Sequence, residues 1–223
     1  MAVLSLENVS VARGGQSLLA GVDFSVDAGQ SVAVMGPSGS GKTSLLHVIC
    51  GLASPAGGVV RLEGRSISAL GDAARSRVRL RQFGLVFQSD ELLPELTVGE
   101  NVGLPLRLLG RPRNEVAPLV ENVLQSLGIA SLSGRRSSQV SGGQAQRAAI
   151  ARAVIHDPAV VLADEPTASL DESTARAAMA LLIDTARRTD AATVIVTHDP
   201  EVAKLCDITV ALRAGTLVAG SVL

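Results

Sequence analysis

Residues Gly36-Pro37-Ser38-Gly39-Ser40-Gly41-Lys42-Thr43 restrict the folds open to this chain more than any other stretch. They fit the spacing G-x-x-x-x-G-K-[ST] at every fixed position. The apolar run 31–35 precedes them, and Leu45, Leu46 and Ile49 follow at turn spacing. The pattern therefore sits between a strand and a helix, the context its chemistry requires. Glycines let the backbone turn its N–H groups inward, and the helix start adds partial positive charge at the same place. Such a cradle suits phosphate. Lys42 would then reach the β- and γ-phosphates of a nucleotide, and the Thr43 hydroxyl would bind Mg²⁺. A glycine-rich turn capped by a hydroxyl is the plainer alternative, and the flanking strand and helix weigh against it.

The rest of the chain repeats that alternation. Strand-like runs fall at 2–6, 31–35, 59–62, 83–87, 160–163, 193–197 and 208–212, with helical patterns between several of them. This predicts an α/β protein on a mainly parallel sheet. The run 160–163 is continuously apolar, as a strand covered on both faces should be. Residues 115–127 give the clearest helix, with Val116, Leu119, Val120, Val123, Leu124 and Leu127 on one face and Gly128 as its stop. Pro118 predicts an irregular first turn. The segment from Gln88 to Ser141 lacks good strands and reads as a helical insertion into the sheet domain.

Two further motifs carry chemistry. Val160-Val161-Leu162-Ala163 runs into Asp164-Glu165, and a buried strand rarely ends in paired carboxylates without a cation or donors to satisfy them. Asp164 would hold Mg²⁺, and Glu165, on the other side of the strand end, would polarise an attacking water. Ser141-Gly142-Gly143-Gln144 reads locally as a helix start, with Ser141 as N-cap and Gln144 as its capping-box partner. Capping does not explain two glycines in a first turn, where alanine would be more favourable by roughly 1 kcal/mol each. Bare glycines there permit close approach of an anion.

Composition closes other routes. Lys+Arg total 20 and Asp+Glu 21, so the net charge of −1 argues against duplex coating or a polybasic membrane surface. Three Phe, no Tyr and no Trp leave almost no platform for stacking single-stranded bases, and no nucleic-acid partner is expected. Cys50 and Cys206 are too few for a disulfide framework or zinc site and read as two buried thiols in a reducing compartment. No signal peptide is visible, because Glu7 interrupts the N-terminus before any long apolar run. The 18 residues from 43 to 60 carry no formal charge, but Gly51, Pro55, Gly57 and Gly58 would break a spanning helix. A cytoplasmic chain that does not itself insert into a membrane is the expectation.

Five motifs occur here in one order: the phosphate loop, Val140-Ser141-Gly142-Gly143-Gln144, Leu162-Ala163-Asp164-Glu165-Pro166, Ser169-Leu170-Asp171 and Thr197-His198-Asp199. In this the whole chain resembles the ATPases of ABC transporters. Phe87-Gln88, Leu92-Leu93-Pro94, Glu100-Asn101-Val102 and Pro105-Leu106 look like the lipoprotein-releasing, macrolide-exporting and cell-division branch. The resemblance implies a P-loop NTPase core, an antiparallel β subdomain and an inserted α-helical subdomain. Core and β subdomain would cover about 1–88 and 158–223, and the helical part about 89–157. It implies a head-to-tail dimer of two copies with ATP sandwiched between them, docked on separate transmembrane permease subunits at the cytoplasmic face of the inner or plasma membrane. Each site would take residues 36–43, Gln88, Asp164, Glu165 and His198 from one copy and Ser141, Gly142, Gly143 and Gln144 from the other. Gln88 would bind Mg²⁺ and sense the membrane partner, His198 would contact the γ-phosphate, and Asp171 would couple the two sites.

Three residues depart from the family pattern. Arg13 stands where an aromatic usually stacks on adenine, Val140 replaces the usual Leu, and Ala145 replaces a residue that is often polar. The resemblance implies an ATP-hydrolysing transport motor. A regulatory ATPase that signals through a membrane partner to cell-envelope enzymes shares the same motifs. A soluble ATPase acting on DNA or the ribosome would need tandem domains, coiled coils or basic extensions, which this sequence lacks.

Overall fold

The first strand runs twice as far as its alternation suggests, and a bulge explains why. The computed structural model describes residues 2–87, 92–167 and 170–219. β1 (Ala2–Arg13) buries Leu4 and Leu6, then Val9 and Val11. The parity changes because its register shifts between Leu6 and Val9, with Asn8 at φ 50°. An extra residue there returns Val9 to the core face, where strict alternation would have turned it to solvent. β2 (Gln16–Asp27), absent from the sequence reading, pairs with β1 through a hairpin whose Gly14 and Gly15 have φ of 57° and 80°. Two positive φ values are what a two-residue hairpin turn requires.

β3 (Ser31–Met35) leads into α1 (Lys42–Ile49), and β4 (Gly57–Leu62) and β5 (Arg65–Ser66) follow. One antiparallel sheet has the order β2-β1-β4-β5. After α2 (Asp72–Gln82) come β6 (Phe83–Val86), α3 (Val98–Leu108), α4 (Arg113–Ser126), α5 (Gly142–Val154) and β7 (Val160–Asp164). The chain continues through α6 (Glu172–Arg188), β8 (Ala192–Thr197), α7 (Pro200–Ala203), β9 (Ile208–Arg213) and β10 (Thr216–Ala219). The second sheet has the order β10-β9-β3-β8-β7-β6, parallel except at the β10 edge.

The parallel strands are covered on both faces. Val160 and Leu162 join a core with β1, β2 and α1, while Val161 and Ala163 face a second core built on α3 to α6. That is why 160–163 reads as an unbroken apolar run. The helical insertion is present as α3, α4 and two 3₁₀ turns, Ala130–Leu132 and Ser137–Gln139. Helix α4 starts two residues before the reading from periodicity and passes through Pro118 without a break. The carbonyl that loses its donor there, on Asn114, lies on the exposed side of the helix. Residues 43–60 form most of α1, a loop and the start of β4, so the expected helix and loop are followed by strand from Gly57. Among the described residues no helix is long and apolar enough to cross a membrane. Both cysteines are free, Cys50 buried and Cys206 only half-buried, so the expectation of two buried thiols holds for the first alone.

Candidate functional site

The loop between β3 and α1 is held so tightly that no side chain fits at two of its glycines. A Cβ on Gly36 would lie 2.5 Å from the Leu212 carbonyl oxygen, and one on Gly41 would lie 2.6 Å from that of Leu18. Gly39 and Gly41 also have φ of 80° and 101°, the left-handed region that favours glycine. α1 opens at Gly41 with no side-chain cap, so its first amides keep their capacity for an outside acceptor. The Ser40 hydroxyl is buried with no hydrogen-bond partner among the described residues. Lys42 Nζ donates to the Gly36 and Pro37 carbonyls at 2.8 and 3.2 Å, folded back over the loop with its donors in reach of anything bound there. An uncapped helix start, an orphaned hydroxyl and a captive lysine fit an oxygen-rich anion.

β7 delivers the two carboxylates beside it. Asp164 is 9% exposed, and burial pushes its carboxyl above the ordinary value while the Thr43 hydroxyl beside it pulls the other way. A divalent cation would relieve that burial cost. Asp164 and the Thr43 hydroxyl beside it are the oxygens here that would hold such an ion. Glu165 takes a left-handed φ of 44° while its N–H donates to the Val196 carbonyl at 2.9 Å. This non-glycine positive φ, invisible in the sequence, corrects the reading that the two acids part at the strand end. Glu165 Oε1 lies 3.6 Å from Lys42 Nζ, so both acids address the loop. Its Oε2 accepts from His198 Nδ1 at 2.7 Å and from the His198 backbone N–H at 3.3 Å. His198 follows β8, whose parallel pairing with β3 and β7 brings it here.

The other glycine-bearing helix start is built from its own neighbours. Ser141 and Gln144 form the expected reciprocal capping box, at 2.9 and 3.4 Å. A Cβ on Gly143 would come 2.8 Å from Thr174 Cγ2 of α6, which gives that glycine a packing reason the sequence did not show. Gly142 is open, and a Cβ there would meet nothing nearer than Leu170 Cδ2 at 3.8 Å. No hydrogen bond joins Ser141, Gly142, Gly143 or Gln144 to residues 36–43 among the described residues. Asp171 caps α6, accepting from Thr174 N and Ser173 Oγ at 3.0 and 2.7 Å, and these donors hold its carboxyl well below the usual range.

Arg13 is exposed at the end of the β1–β2 hairpin, opposite Gln16. The same β2 strand supplies the Leu18 carbonyl against Gly41, which puts the hairpin on the loop's side of the fold. Gln88 and Ser169 lie outside the described residues. Val140 is half-buried against the helical core, and Ala145 is 5% exposed, a core position where a polar residue would need a partner. Asn101, in the sequence only part of a branch pattern, has a structural role that its hydrogen bonds reveal. Fully buried, it accepts from Leu93 N at 2.7 Å and donates to the carbonyls of Leu93, Leu96 and Thr97 at 3.1, 3.3 and 3.0 Å. It fixes residues 93–97 ahead of α3. A cavity of about 640 Å³ lies between α3 and α4, lined by Leu104, Val116 and Val120 and by the charged Arg107, Arg113 and Glu121.

Residues 19–168 match the ABC transporter family. The chain belongs to the ABC transporter ATPases. Curated relatives include the lipoprotein-releasing system ATP-binding protein LolD 2 of Caulobacter vibrioides, 43% identical over 97% of this chain and 96% of the relative. LolD of Anaeromyxobacter dehalogenans is 47% identical over 91% of this chain and 85% of its own length. Among solved structures, a dimeric ABC cassette, MJ0796, bound to ADP and phosphate superposes with a TM-score of 0.88 at 32% identity, covering 99% of both chains. This ABC ATPase therefore has a P-loop NTPase core with β and helical subdomains and binds and hydrolyses ATP with Mg²⁺, and the MJ0796 cassette it resembles is dimeric.

Proposed function

We propose that this ABC ATPase powers the extraction of lipid-modified proteins from a membrane, as a pair of copies at the cytoplasmic face of the inner or plasma membrane. The names and near full-length similarity of its relatives support that substrate class. The observation that carries the chemistry is the convergence of Lys42, Asp164, Glu165 and His198 on the uncapped start of α1. In this reading residues 36–43 hold the triphosphate, Lys42 leaves the Gly36 and Pro37 carbonyls for phosphate oxygens, and Thr43, Asp164 and Gln88 hold Mg²⁺. When bound, the ion neutralises charge on the β- and γ-phosphate oxygens. Glu165 takes the proton of the attacking water on its carboxylate while His198 fixes that carboxylate and faces the γ-phosphate. Ser141, Gly142, Gly143 and Gln144 close the site from the second copy, and Asp171 couples the two sites. Arg13 stands on the base side.

The segment 89–157 moves as a helical unit against 1–88 and 158–223 in this reading, and the α3–α4 cavity receives the membrane subunits. Co-purification from membranes identifies those subunits. ATP hydrolysis by the complex in vesicles should rise when a lipid-modified protein is supplied and vanish in Lys42→Ala. A complex whose hydrolysis ignores lipid-modified proteins would remove the substrate class, and a partner that activates cell-envelope enzymes without transport would replace transport by regulation.

A further inference from the structure

α4 ends in a left-handed glycine turn. Gly128 has φ 69°, the Ile129 N–H returns to the Leu124 carbonyl at 2.9 Å, and the Gly128 N–H reaches that of Gln125 at 3.0 Å. These bonds satisfy carbonyls inside the last turn and leave that of Leu127, at the C-cap. The last turn of α4 has no basic residue of its own. The charge at its negative end comes instead from α5, where Arg147 Nη1 donates to the Leu127 carbonyl at 3.1 Å. A Cβ on Gly128 would stand at ordinary contact distance from that nitrogen, 3.5 Å, so it is the φ of 69° that calls for glycine, and the guanidinium packs directly on the turn. Arg147 follows Gly143 by one helical turn, and Gly143 is the residue that abuts Thr174 at the start of α6. One end of the first two turns of α5 is thus set by α6, and the other by α4.

We propose that Arg147 is a positioning residue for hydrolysis. Its guanidinium ties α5 to the end of α4 and thereby fixes where Ser141, Gly142, Gly143 and Gln144 stand when they meet the nucleotide held by the second copy. This rests on the proposed function, in which those four residues act across a dimer. α4 also walls the α3–α4 cavity, so the same bond carries the first turn of α5 along with that wall. Helix-end charge alone would make Arg147 a stabilising cap and nothing more, and the two cases differ in what Arg147→Met does.

The test uses the full chain. Arg147→Met should bind a fluorescent ATP analogue with Mg²⁺ within twofold of wild type, because residues 36–43 are untouched. Its kcat at saturating ATP should fall at least tenfold with KM little changed, and in a Glu165→Gln background its ATP-dependent dimer should weaken about tenfold. Arg147→Lys, which keeps a cationic donor, should recover part of the kcat. Where Arg147→Met does not fold, Arg147→Lys carries the test, with a threefold or larger drop in kcat at unchanged nucleotide affinity expected. A folded Arg147→Met with kcat within twofold of wild type and only a lower melting temperature overturns the proposal, as does an Arg147→Lys at full kcat beside an unfolded Arg147→Met. A wild type that neither hydrolyses ATP nor dimerises overturns the underlying reading, and this proposal with it.

Discussion

α1 and α5 both begin on glycine-rich turns, yet α1 starts at Gly41 without a side-chain cap and α5 starts inside a reciprocal Ser141–Gln144 box. At the first, Gly36 and Gly41 are hemmed by backbone carbonyls of Leu212 and Leu18, which cannot move without moving β9 or β2. At the second, Gly143 meets only the tip of Thr174, and Gly142 meets nothing closer than 3.8 Å. The first leaves its amides open to an anion within one chain. The second is closed by its own capping box with Gly143 packed on Thr174, and it is the open Gly142 that, in the proposed reading, meets a second copy. Substitutions that damage one and spare the other can break or sharpen this contrast.

The largest effect should come from Glu165, which belongs wholly to the first site. Glu165→Gln should lower phosphate release by roughly 10²–10⁴ while ATP still binds, and gel filtration with ATP should show a trapped dimer. Near-normal hydrolysis would remove Glu165 from its role.

Mixing Lys42→Ala chains with Gly142→Asp chains tests whether the second helix start acts in trans. Each variant alone should be inactive, and the mixture should regain measurable hydrolysis as one intact pair of half-sites re-forms. Full activity in each single variant would defeat the composite site.

Stability separates the glycines more gently. Gly41→Ala, at φ 101° against a carbonyl, should melt several degrees lower and lose nucleotide, whereas Gly142→Ala should melt at or above wild type. Each kcal/mol corresponds to about 2–4 °C in a chain of this size. Equal losses would mean that α5 is as tightly built as the loop.

Asp164 gives a pH signature. Burial raises its folded pKa, with Thr43 opposing, so folding favours the protonated form. Its ionised form therefore opposes stability once the pH exceeds the unfolded carboxylate value, and that opposition is relieved as the pH falls through the raised folded value. Melting curves without Mg²⁺ should show Asp164→Asn more stable than wild type at neutral pH, with the gap closing in acid. The variant should also lose Mg²⁺-dependent hydrolysis. A less stable Asp164→Asn would mean that its Thr43 contact outweighs desolvation.

The smallest effect concerns Arg13 at the hairpin end. Cation–π contact contributes roughly 0.5–1 kcal/mol at an exposed site, against roughly 1–3 kcal/mol for a base on an aromatic ring. ATP and GTP should bind wild type at similar strength, and Arg13→Tyr should tighten ATP by up to about tenfold, or ~1.4 kcal/mol. Titrations of both nucleotides check this, and a strong ATP preference in wild type would mean that other residues read the base.

Residue spacing alone was enough for the loop, the two acids at the end of β7, the capping box of α5 and the two-faced burial of the parallel strands. Each rests on residues adjacent in the chain, where spacing alone sets geometry. Tertiary structure decided the rest. β2 was hidden because its own register shifts, with Gly21 at φ 61°, space its buried Leu19, Val22 and Val26 three and four apart, so no alternation announces it. The left-handed Glu165 and its partnership with Lys42 and His198 depend on β3, β7 and β8 lying side by side. The carbonyls that forbid a side chain at Gly36 and Gly41, and the one that receives Arg147, are backbone groups from remote elements. Every residue carries such a carbonyl, so no sequence pattern can mark the ones that matter; only packing chooses them.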